Sequence, residues 1–516
     1  MSAQQPDKDR VSLGAAALAG IAAGAAALGV AELLAGILPG AASPIIAIGD
    51  LVISLQPPGA KQFVVDLFGT ADKLVLNLFI AAVAIAGAAG IGIFARSRPG
   101  VATLGFGAAG LLALAAGLRD PLSEPITTFL LVVAAVVTGV VVLRWLLRLA
   151  APAATEAEMP DWSRRRFIGS SIAVIGVAAA SGTVGRVLLD RGRLVGSTTE
   201  TNIPAAGASA PPLPDGSSLD VSGITPLVVP NAEFYRIDTA LLVPRPDIDS
   251  WRLRLTGLVD APFEMTYEEL LAMPLIEQYV TIACVSNEVG GNLVGNALWR
   301  GARLKDLLDR ARIRSEATQI VGRSVDGFTV GFPTAHAIAD DREPMVAVAM
   351  NGEPLPANHG FPARLIVPGL YGYVSATKWL TEIELTTWDA FDAYWIPLGW
   401  SKTGPILTQS RIDTPQNGAS VSAGTIPVAG VAWAPDRGIS AVEIRIDGAA
   451  WEPAETSTPI SDATWVQFLH PWDAAAGEHT LEVRATDGTG EVQTDERTRP
   501  APDGARGHHT IRVNVG

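Results

Sequence analysis

Residues 279–301, YVTIACVSNEVGGNLVGNALWRG, contain Cys284, the only cysteine among 516 residues. A run of strand-forming residues leads into this cysteine, and the loop that follows is rich in Gly, Asn and Ser. The paired Gly290 and Gly291 allow the backbone to approach a ligand closely. A thiolate suits a soft or high-valent metal centre. The pattern therefore predicts a ligand-binding loop with a metal-binding cysteine. A buried structural cysteine that behaves as a small hydrophobe is the alternative.

The composition is too apolar for an ordinary soluble protein, with 48% hydrophobic residues and a mean hydropathy of +0.30. The length allows two or three domains, each with its own core. A net charge of −14 argues against nucleic acid as a partner, because phosphate binding needs a basic patch. One cysteine excludes intrachain disulfides and any cluster held by four thiolates of this chain.

Five apolar runs are candidates to cross a bilayer, which takes roughly 20 residues. They span residues 11–38, 74–95, 101–118, 126–150 and 167–189. Residues 44–70 are semi-apolar but broken by Pro57, Pro58 and Gly59, which predicts an interfacial loop or short helix; a sixth span is the less favoured alternative. All six histidines lie beyond residue 330, so the spans cannot supply paired imidazoles to a haem.

Basic residues set the predicted orientation of these spans. They are Lys8 and Arg10 before the first span, Arg96 and Arg98 after the second, and Arg144, Arg148, Arg164, Arg165 and Arg166 between the fourth and fifth. Five crossings place all three sets on one side, so the positive-inside rule predicts a cytoplasmic N-terminus and an outer location for everything after the fifth span. Glu32 is the main acid within a span, and we expect it near the outer surface.

The segment SRRRFIGSS, residues 163–171, precedes the fifth span. Consecutive arginines followed by Phe and an apolar run resemble a twin-arginine export signal, here internal. A simple positive-inside anchor explains the same residues equally well.

The remainder of the chain reads as a linker followed by two folded regions. Residues 196–225 are rich in Ser, Thr, Pro, Ala and Gly, which is typical of a linker. From Pro226 the pattern is mixed α+β with much loop, and after residue 405 it becomes β-rich. About seven strands, including residues 428–435, 441–448, 465–470 and 479–487, predict an immunoglobulin-like sandwich. The predicted divisions are a membrane region at 1–195, a linker at 196–225, a catalytic domain at 226–405 and the sandwich at 406–516.

A second motif-rich segment spans residues 350–385, MNGEPLPANHGFPARLIVPGLYGYVSATKWLTEIEL. Asn351-Gly352 predicts a hairpin turn. His359, Arg364 and Lys378 would together suit a phosphorylated or polyanionic cofactor. Individually, each is more often a surface charge or a histidine with its hydrogen bonds made within the protein, but as a set beside the Cys284 loop they indicate a site.

His508 and His509 are adjacent on a predicted strand and face opposite sides, which disfavours a metal site there.

From about residue 229 to 515 the chain resembles the sulfite oxidase family of molybdopterin-dependent oxidoreductases, most of all its membrane-anchored bacterial branch. The motifs that carry the resemblance are FYRIDTAL (234–241), TIACVSNEVGG (281–291), NGEPLPANHGFPARLIVPGLYG (351–372) and KWL (378–380). The resemblance implies molybdenum and molybdopterin as the cofactor, and we expect no haem, iron–sulfur cluster or flavin in this chain. It also implies that the C-terminal sandwich is a dimerisation domain, which leaves a homodimer open.

The resemblance assigns roles to individual residues. Cys284 is implied to ligate molybdenum beside the pterin dithiolene sulfurs. Other residues match positions that line or grip the cofactor or accompany the cysteine: Phe234, Tyr235, Ser286, Asn287, Asp326, His359, Arg364 and Lys378. Arg236 and Tyr235 are the expected catalytic partners of Cys284, Arg236 to orient an oxygen-bearing substrate and Tyr235 to donate a hydrogen bond.

The chain departs from the family pattern near the expected substrate pocket. Glu288 and Val289 stand where further basic residues would follow the cysteine loop, and Trp400, with Tyr394 nearby, is expected in the place of a tyrosine close to the metal. A carboxylate facing the pocket would repel sulfite, because like charges in a low-dielectric site cost several kcal/mol. A neutral sulfoxide or a reductase role fits these residues as well as sulfite does.

The sequence therefore predicts a plasma-membrane enzyme with an outward-facing catalytic domain that performs two-electron oxygen-atom transfer on a small substrate. Its electrons would pass to or from an external carrier, such as a cytochrome or a quinone-linked membrane protein. The alternative is a non-enzymatic anchored ectodomain with an immunoglobulin-like binding module, in which Cys284 is inert.

Overall fold

The computed structural model describes residues 11–57, 64, 67–68, 72–151, 160–195, 202–339 and 342–516. Lys8 and Arg10, Pro58-Gly59 and the first six residues of the predicted linker, 196–201, lie outside these residues. The chain divides into two compact units, one of Met1–Thr198 with Ala240–Leu242 and the other of Thr199–Thr239 with Val243–Gly516.

The first unit is helical. Its helices are α1 (Leu13–Ile37), α2 (Pro44–Leu55), α3 (Asp72–Ala95), α4 (Gly100–Gly117), α5 (Pro125–Ala150) and α6 (Pro160–Val195). Within the described residues, five helices are long and apolar enough to cross a membrane, and α2 is a shorter apolar helix. The five predicted apolar runs and the short helix after the first of them are thus confirmed as helices.

Glycines allow α1 and α6 to approach closely. A Cβ at Gly185 would overlap the carbonyl oxygen of Glu32, so only the missing side chain permits this contact. Glu32 itself is buried; its Oε1 accepts a hydrogen bond from Ser43 at 2.6 Å, and its Oε2 lies 3.7 Å from Nη1 of Arg186. A buried acid in an apolar helix is expensive without such partners.

The second unit begins with an α+β region built on two sheets. Its strands are β1 (Arg252–Gly257), β2 (Phe263–Thr266), β3 (Leu275–Ala283), β4 (Val294–Arg303), β5 (Gln319–Ser324), β6 (Thr329–Pro333), β7 (Met345–Met350), β8 (Glu353–Pro354), β9 (Arg364–Ile366) and β10 (Leu380–Thr386). One sheet has the order β2-β1-β10-β5-β6, with β1 and β10 parallel. The other has the order β3-β4-β7-β8, and β9 pairs with β7.

Short helices connect these strands: α7 (Tyr267–Leu271), α8 (Leu304–Ala311), α9 (Thr334–Ile338), α10 (Gly372–Ser375) and a 3₁₀ turn (Ala357–His359). Thr266 and Glu269 form a reciprocal capping box at the start of α7. Between β7 and β8, Asn351 and Gly352 both have positive φ, at 53° and 82°, so the predicted tight hairpin turn is confirmed.

The C-terminal region is a sandwich of two sheets. Its strands are β11 (Gln409–Thr414), β12 (Ala419–Val421), β13 (Gly424–Trp433), β14 (Ile439–Ile446), β15 (Glu452–Pro453), β16 (Glu455–Thr456), β17 (Val466–Ala474), β18 (Gly477–Asp487) and β19 (His509–Val515). The sheets have the orders β11-β13-β17-β16 and β12-β19-β18-β14-β15. Val428, Phe468 and Val483 are fully buried in the core of this sandwich. The predicted fold class, with spans, an α+β domain and an all-β sandwich, is confirmed.

The hydrophobic core of the α+β region extends into the sandwich. Val431, Trp433 and Trp465 belong to the same buried cluster as Trp299 of β4. Residues 202–225 contain little regular structure but bond to this unit, since Gly207 N donates to Leu275 O at 2.9 Å.

Candidate cofactor site around Cys284

Cys284 follows the last residue of β3, where the strand gives way to a closed loop. Its N–H donates to Leu293 O at 2.9 Å, and its carbonyl accepts from Asn287 N at 3.0 Å. The buried Asn287 side chain accepts from Leu293 N at 2.8 Å. Cys284 is 9% exposed, so the thiol lies just below the surface at the head of a loop that is held at both ends.

The glycines of this loop are required by their surroundings. A Cβ on Gly291 would lie 2.6 Å from Oδ1 of Asn287, and Gly290 has a φ of +79°. Ser286 is half-buried on the same loop, whereas Glu288 is exposed.

The predicted cofactor-lining segment packs against the second motif. The Phe234 ring lies 5.3 Å from that of Tyr235 in a stacked arrangement, and it meets the rings of Trp299 and His359 edge-on at 5.9 and 5.8 Å. Gly295 makes this packing possible, because a Cβ there would press on the Phe234 ring.

His359 ties the two motifs together. Its Nε2 lies 3.0 Å from the carbonyl of Asn231, so the neutral ring donates there from Nε2 and Nδ1 becomes an acceptor. Burial, together with the nearby Arg364, lowers the pKa of His359 to about 4, which keeps the ring neutral at physiological pH.

Arg364 brings a positive charge into the interior. It is 5% exposed, its Nη1 donates to the His359 carbonyl at 3.0 Å, and its guanidinium carbon lies 4.9 Å from the Trp299 ring centroid. Its Nε is buried without a hydrogen-bond partner, and among the described residues no carboxylate pairs with it. Burial lowers the pKa of Arg364 to about 10, so it remains charged. A buried cation without a counter-ion is costly unless a ligand supplies the anion.

Tyr235 lies within electrostatic reach of both Cys284 and Arg364. Burial raises the pKa of Tyr235 well above its usual value; the neighbouring Cys284 raises it further, and Arg364 opposes the shift. The phenol is therefore a neutral hydroxyl that can donate a hydrogen bond. The charges of the cysteine loop and of the Arg364 strand thus both act on the Tyr235 hydroxyl.

Lys378 and Arg236 share one buried carboxylate. Nζ of Lys378 and Nε of Arg236 each lie 2.8 Å from Oδ2 of Asp238, whose side chain is 3% exposed. Burial lowers the pKa of Lys378 to about 8, and Asp238 opposes that shift. Burial raises the pKa of Asp326, which lies in the turn between β5 and β6, and the Asp238 charge adds to the effect. Asp326 is therefore close to the same group of charges.

Three residues of this site were not found from the sequence. Asn231 precedes the FYRIDTAL motif and has no distinctive spacing, whereas Asp238 lies within that motif but was not assigned a role. Tyr371, in the Gly-Leu-Tyr-Gly stretch, is 3% exposed, and its pKa is raised to about 12 by burial, with a further contribution from Cys284. Its aromatic position within a glycine-rich turn was a usable signal.

Trp400 and Tyr394 lie in an aromatic cluster. The Trp400 ring is 5.9 Å from that of Tyr373 and 6.3 Å from that of Trp395, which in turn lies 5.1 Å from Tyr394. Whether Trp400 takes the place of the family's tyrosine beside the metal stays a prediction.

The charges of this site fit an anionic cofactor. The orphaned Nε of Arg364 and the buried Lys378 ammonium offer donors to phosphate or pterin oxygens, and the thiol of Cys284 offers a soft ligand. The thiol comes from the loop after β3, whereas both cations come from the 350–385 segment.

Comparison with known protein families also indicates a protein that binds such a cofactor. The oxidoreductase molybdopterin binding domain matches residues 240–395, which include Cys284, Asp326, His359, Arg364 and Lys378. A bacterial Ig domain matches residues 409–483. The chain is thus a molybdopterin-binding oxidoreductase with an immunoglobulin-like domain.

Individual relatives indicate to which family of oxidoreductases the chain belongs. An uncharacterized oxidoreductase, YuiH, of Bacillus subtilis is 34% identical over 158 residues, which is 31% of this chain and 76% of that protein. The mitochondrial sulfite oxidase of Rattus norvegicus is 28% identical over 270 residues, 44% of this chain and 49% of the relative. The chain thus spans about half the length of this relative. It belongs to the sulfite oxidase family of molybdopterin-dependent oxidoreductases.

A solved structure shows a similar fold. The sulfane dehydrogenase SoxCD from Paracoccus pantotrophus aligns with a TM-score of 0.50 at 22% identity, over 57% of this chain and 84% of the other. At this identity the likeness extends to the fold alone.

Proposed function

We propose that this chain is a membrane-anchored molybdenum-cofactor oxidoreductase that transfers an oxygen atom to or from a small sulfite-, sulfoxide- or N-oxide-like substrate. The observation that carries the proposal is the buried Arg364 guanidinium: among the described residues its Nε has no hydrogen-bond partner, and its Nη1 donates to the carbonyl of His359, whose ring packs on Phe234. Family membership favours this enzyme over an inert anchored ectodomain.

In this proposal, different residues bind the metal, the cofactor and the substrate. Cys284 is the metal ligand, Arg364 and Lys378 bind the anionic part of the cofactor, and His359 holds the Phe234 segment in place. When bound, the cofactor supplies two-electron oxygen-atom transfer. Tyr235, whose hydroxyl stays protonated, donates a hydrogen bond to the oxygen of the substrate, and Arg236 orients that substrate from the exposed side.

The charges favour a neutral oxide as substrate. Asp238 already balances part of the charge of Arg236 and Lys378, and the exposed Glu288 adds a negative charge on the cysteine loop. Reduction of a sulfoxide consumes two electrons and two protons and yields a thioether and water. These electrons come from an external carrier, a cytochrome or quinone-linked protein of the membrane.

An assay panel tests the reaction. Purified full-length protein would be supplied with sulfite plus an artificial oxidant, and with sulfoxides or N-oxides plus a reduced dye. We expect turnover of at least one oxide, lost in Cys284→Ser. A molybdenum-loaded protein that turns over none of these substrates would contradict the proposal.

The proposed location at the outer face of the plasma membrane rests on arginines at the ends of the helices. Arg96 and Arg98, after α3, and Arg164 to Arg166, near the start of α6, share one side when five helices cross. A C-terminal alkaline phosphatase fusion should be active in intact cells. An inactive phosphatase with an active cytoplasmic reporter at the same position would contradict this topology.

A further inference from the structure

The strand that leads to Cys284 has an edge that pairs with no strand of its own sheet. β3 is the terminal strand of its sheet: among the described residues β4 is the one strand that pairs with it, and on the other edge Ala208 forms an isolated bridge with Ile276. On its other side, Thr281 N donates to the Ala463 carbonyl at 2.9 Å, and Trp465 N donates to Oγ1 of Thr281 at 2.8 Å. Thr281 is fully buried and lies three residues before Cys284. The sandwich domain therefore fixes the strand just ahead of the thiol.

The loop after Cys284 is bound by the same domain. Nη1 of Arg411, in β11, donates to the carbonyl of Gly291 at 2.8 Å. Its Nε donates to Asp413 at 2.6 Å, and its Nη2 donates to Oγ1 of Thr225 at 2.7 Å. All three guanidinium nitrogens are thus engaged, and Arg411 is buried. Such a guanidinium has little freedom to rotate, so Gly291 is held in one place.

A histidine of the sandwich covers the neighbouring glycine. A Cβ on Gly290 would overlap Cδ2 of His509, so the imidazole lies directly against the Gly290 backbone. The ring is oriented by its Nδ1, which accepts from Ile412 N at 3.0 Å. His509 and Arg411 therefore act on adjacent residues of one loop.

We infer that the immunoglobulin-like domain positions the metal-binding cysteine, with Arg411 and His509 as the positioning residues of the Cys284 loop. The inference rests on the proposed role of Cys284 as the molybdenum ligand. The physical reason is that a Gly-Gly loop has little intrinsic stiffness and needs contacts from outside to order it. Groups that orient a metal ligand tune the metal as well as its affinity.

The sole cysteine provides a direct readout of loop order. In full-length protein prepared without cofactor, a thiol reagent can label only Cys284. Arg411→Met should raise the labelling rate roughly tenfold or more, because it removes a charged hydrogen bond from the loop. Arg445→Met is the matched control, since Arg445 pairs with Glu482 in the same domain and should leave the rate unchanged.

A second variant keeps the inference testable if Arg411→Met does not fold. His509→Ala removes the ring over Gly290 without removing a buried arginine, and it should also raise the labelling rate. Unchanged labelling in both variants would overturn the inference.

The molybdenum-loaded protein gives a signature that a purely structural role would not change. The electron paramagnetic resonance spectrum of Mo(V) should shift in Arg411→Met and match wild type in Arg445→Met, at equal molybdenum content. An unshifted spectrum in Arg411→Met would overturn the inference while the proposed function stands. Absence of molybdenum from wild-type protein would instead contradict the proposed function, and the labelling comparison would still decide the role of the sandwich.

Discussion

The guanidinium carbon of Arg364 lies 4.9 Å from the centroid of the Trp299 ring, and Nη1 of the same arginine donates to the His359 carbonyl at 3.0 Å. The carbonyl and the aromatic ring therefore orient the guanidinium, and no carboxylate of the described residues neutralises its charge. Its Nε is buried and has no hydrogen-bond partner among the residues that the structure describes. This arrangement is unfavourable for an empty protein and favourable for one that binds an anion.

Arg364→Met should therefore separate stability from cofactor retention. The cofactor-free variant should unfold at the same temperature as wild type or higher, because a buried uncompensated charge is removed. Its pterin content after purification should fall roughly tenfold or more, since charge-assisted hydrogen bonds are lost. Arg323→Met is the control, because Arg323 also lies over a ring, that of Phe391, but pairs with Glu384. Equal pterin content in the two variants would contradict the role of Arg364.

His359 and His509 should each make the stability of the fold depend on pH between about pH 4 and pH 6.5. Burial lowers the pKa of each to about 4 from the ordinary 6.5, and Arg364 and Arg411 respectively add to the shift. Between these values the unfolded chain binds the proton and the folded chain does not, so stability is lost as the pH falls through this window.

Thermal unfolding of wild type, His359→Gln, His509→Gln and the double variant would be followed from pH 4 to pH 7. Each single change should reduce the pH dependence by about one proton, and the double change by about two. A slope that is the same in all four proteins would show that the histidines are not buried as neutral rings.

Gly290 should tolerate alanine far less well than a glycine of the same backbone conformation. Gly290 and Gly418 both have a φ of +79°, but a Cβ at Gly418 meets no atom within 4 Å, whereas at Gly290 it overlaps His509. Both alanine variants incur strain of roughly 1–2 kcal/mol from positive φ. Only Gly290→Ala should also raise the labelling rate of Cys284. Equal effects of the two changes would contradict the contact with His509.

Close packing of α1 against α6 can be tested with two glycines of α6. Gly185→Ala would overlap the backbone of Glu32, whereas Gly176→Ala would meet no atom within 4 Å. In detergent, Gly185→Ala should lower the unfolding temperature. Gly176→Ala should keep or raise it, because alanine favours helix over glycine by about 1 kcal/mol. A similar result for both variants would argue against this helix pair.

The sequence alone predicted those parts of the fold that depend on local pattern. The apolar runs, the Asn351-Gly352 turn and the strand that ends before Cys284 all have a signal within a few residues. The motifs around His359 and Lys378 were recognised in the same way, and the structure places them near Phe234 and Asp238.

The contacts that were not predicted join residues distant in sequence. Asp238 meets Lys378 across 140 residues, and Arg411 meets Gly291 across 120. Asp238 lies in the FYRIDTAL motif, but its partner is not evident from the sequence, and nothing near Arg411 distinguishes it from a surface charge until the chain has folded. His509 was set aside as a metal ligand from its strand position, and its packing on Gly290 has no counterpart in the local sequence.

X-ray absorption at the molybdenum edge, together with metal content, tests the central claim most directly. We expect about one molybdenum per chain in the purified full-length protein, and either loss of the metal or one fewer sulfur ligand in Cys284→Ser. Wild-type protein from a host able to make the cofactor that contains no molybdenum, or a Cys284→Ser variant with the full metal content and an unchanged sulfur count, would contradict the account.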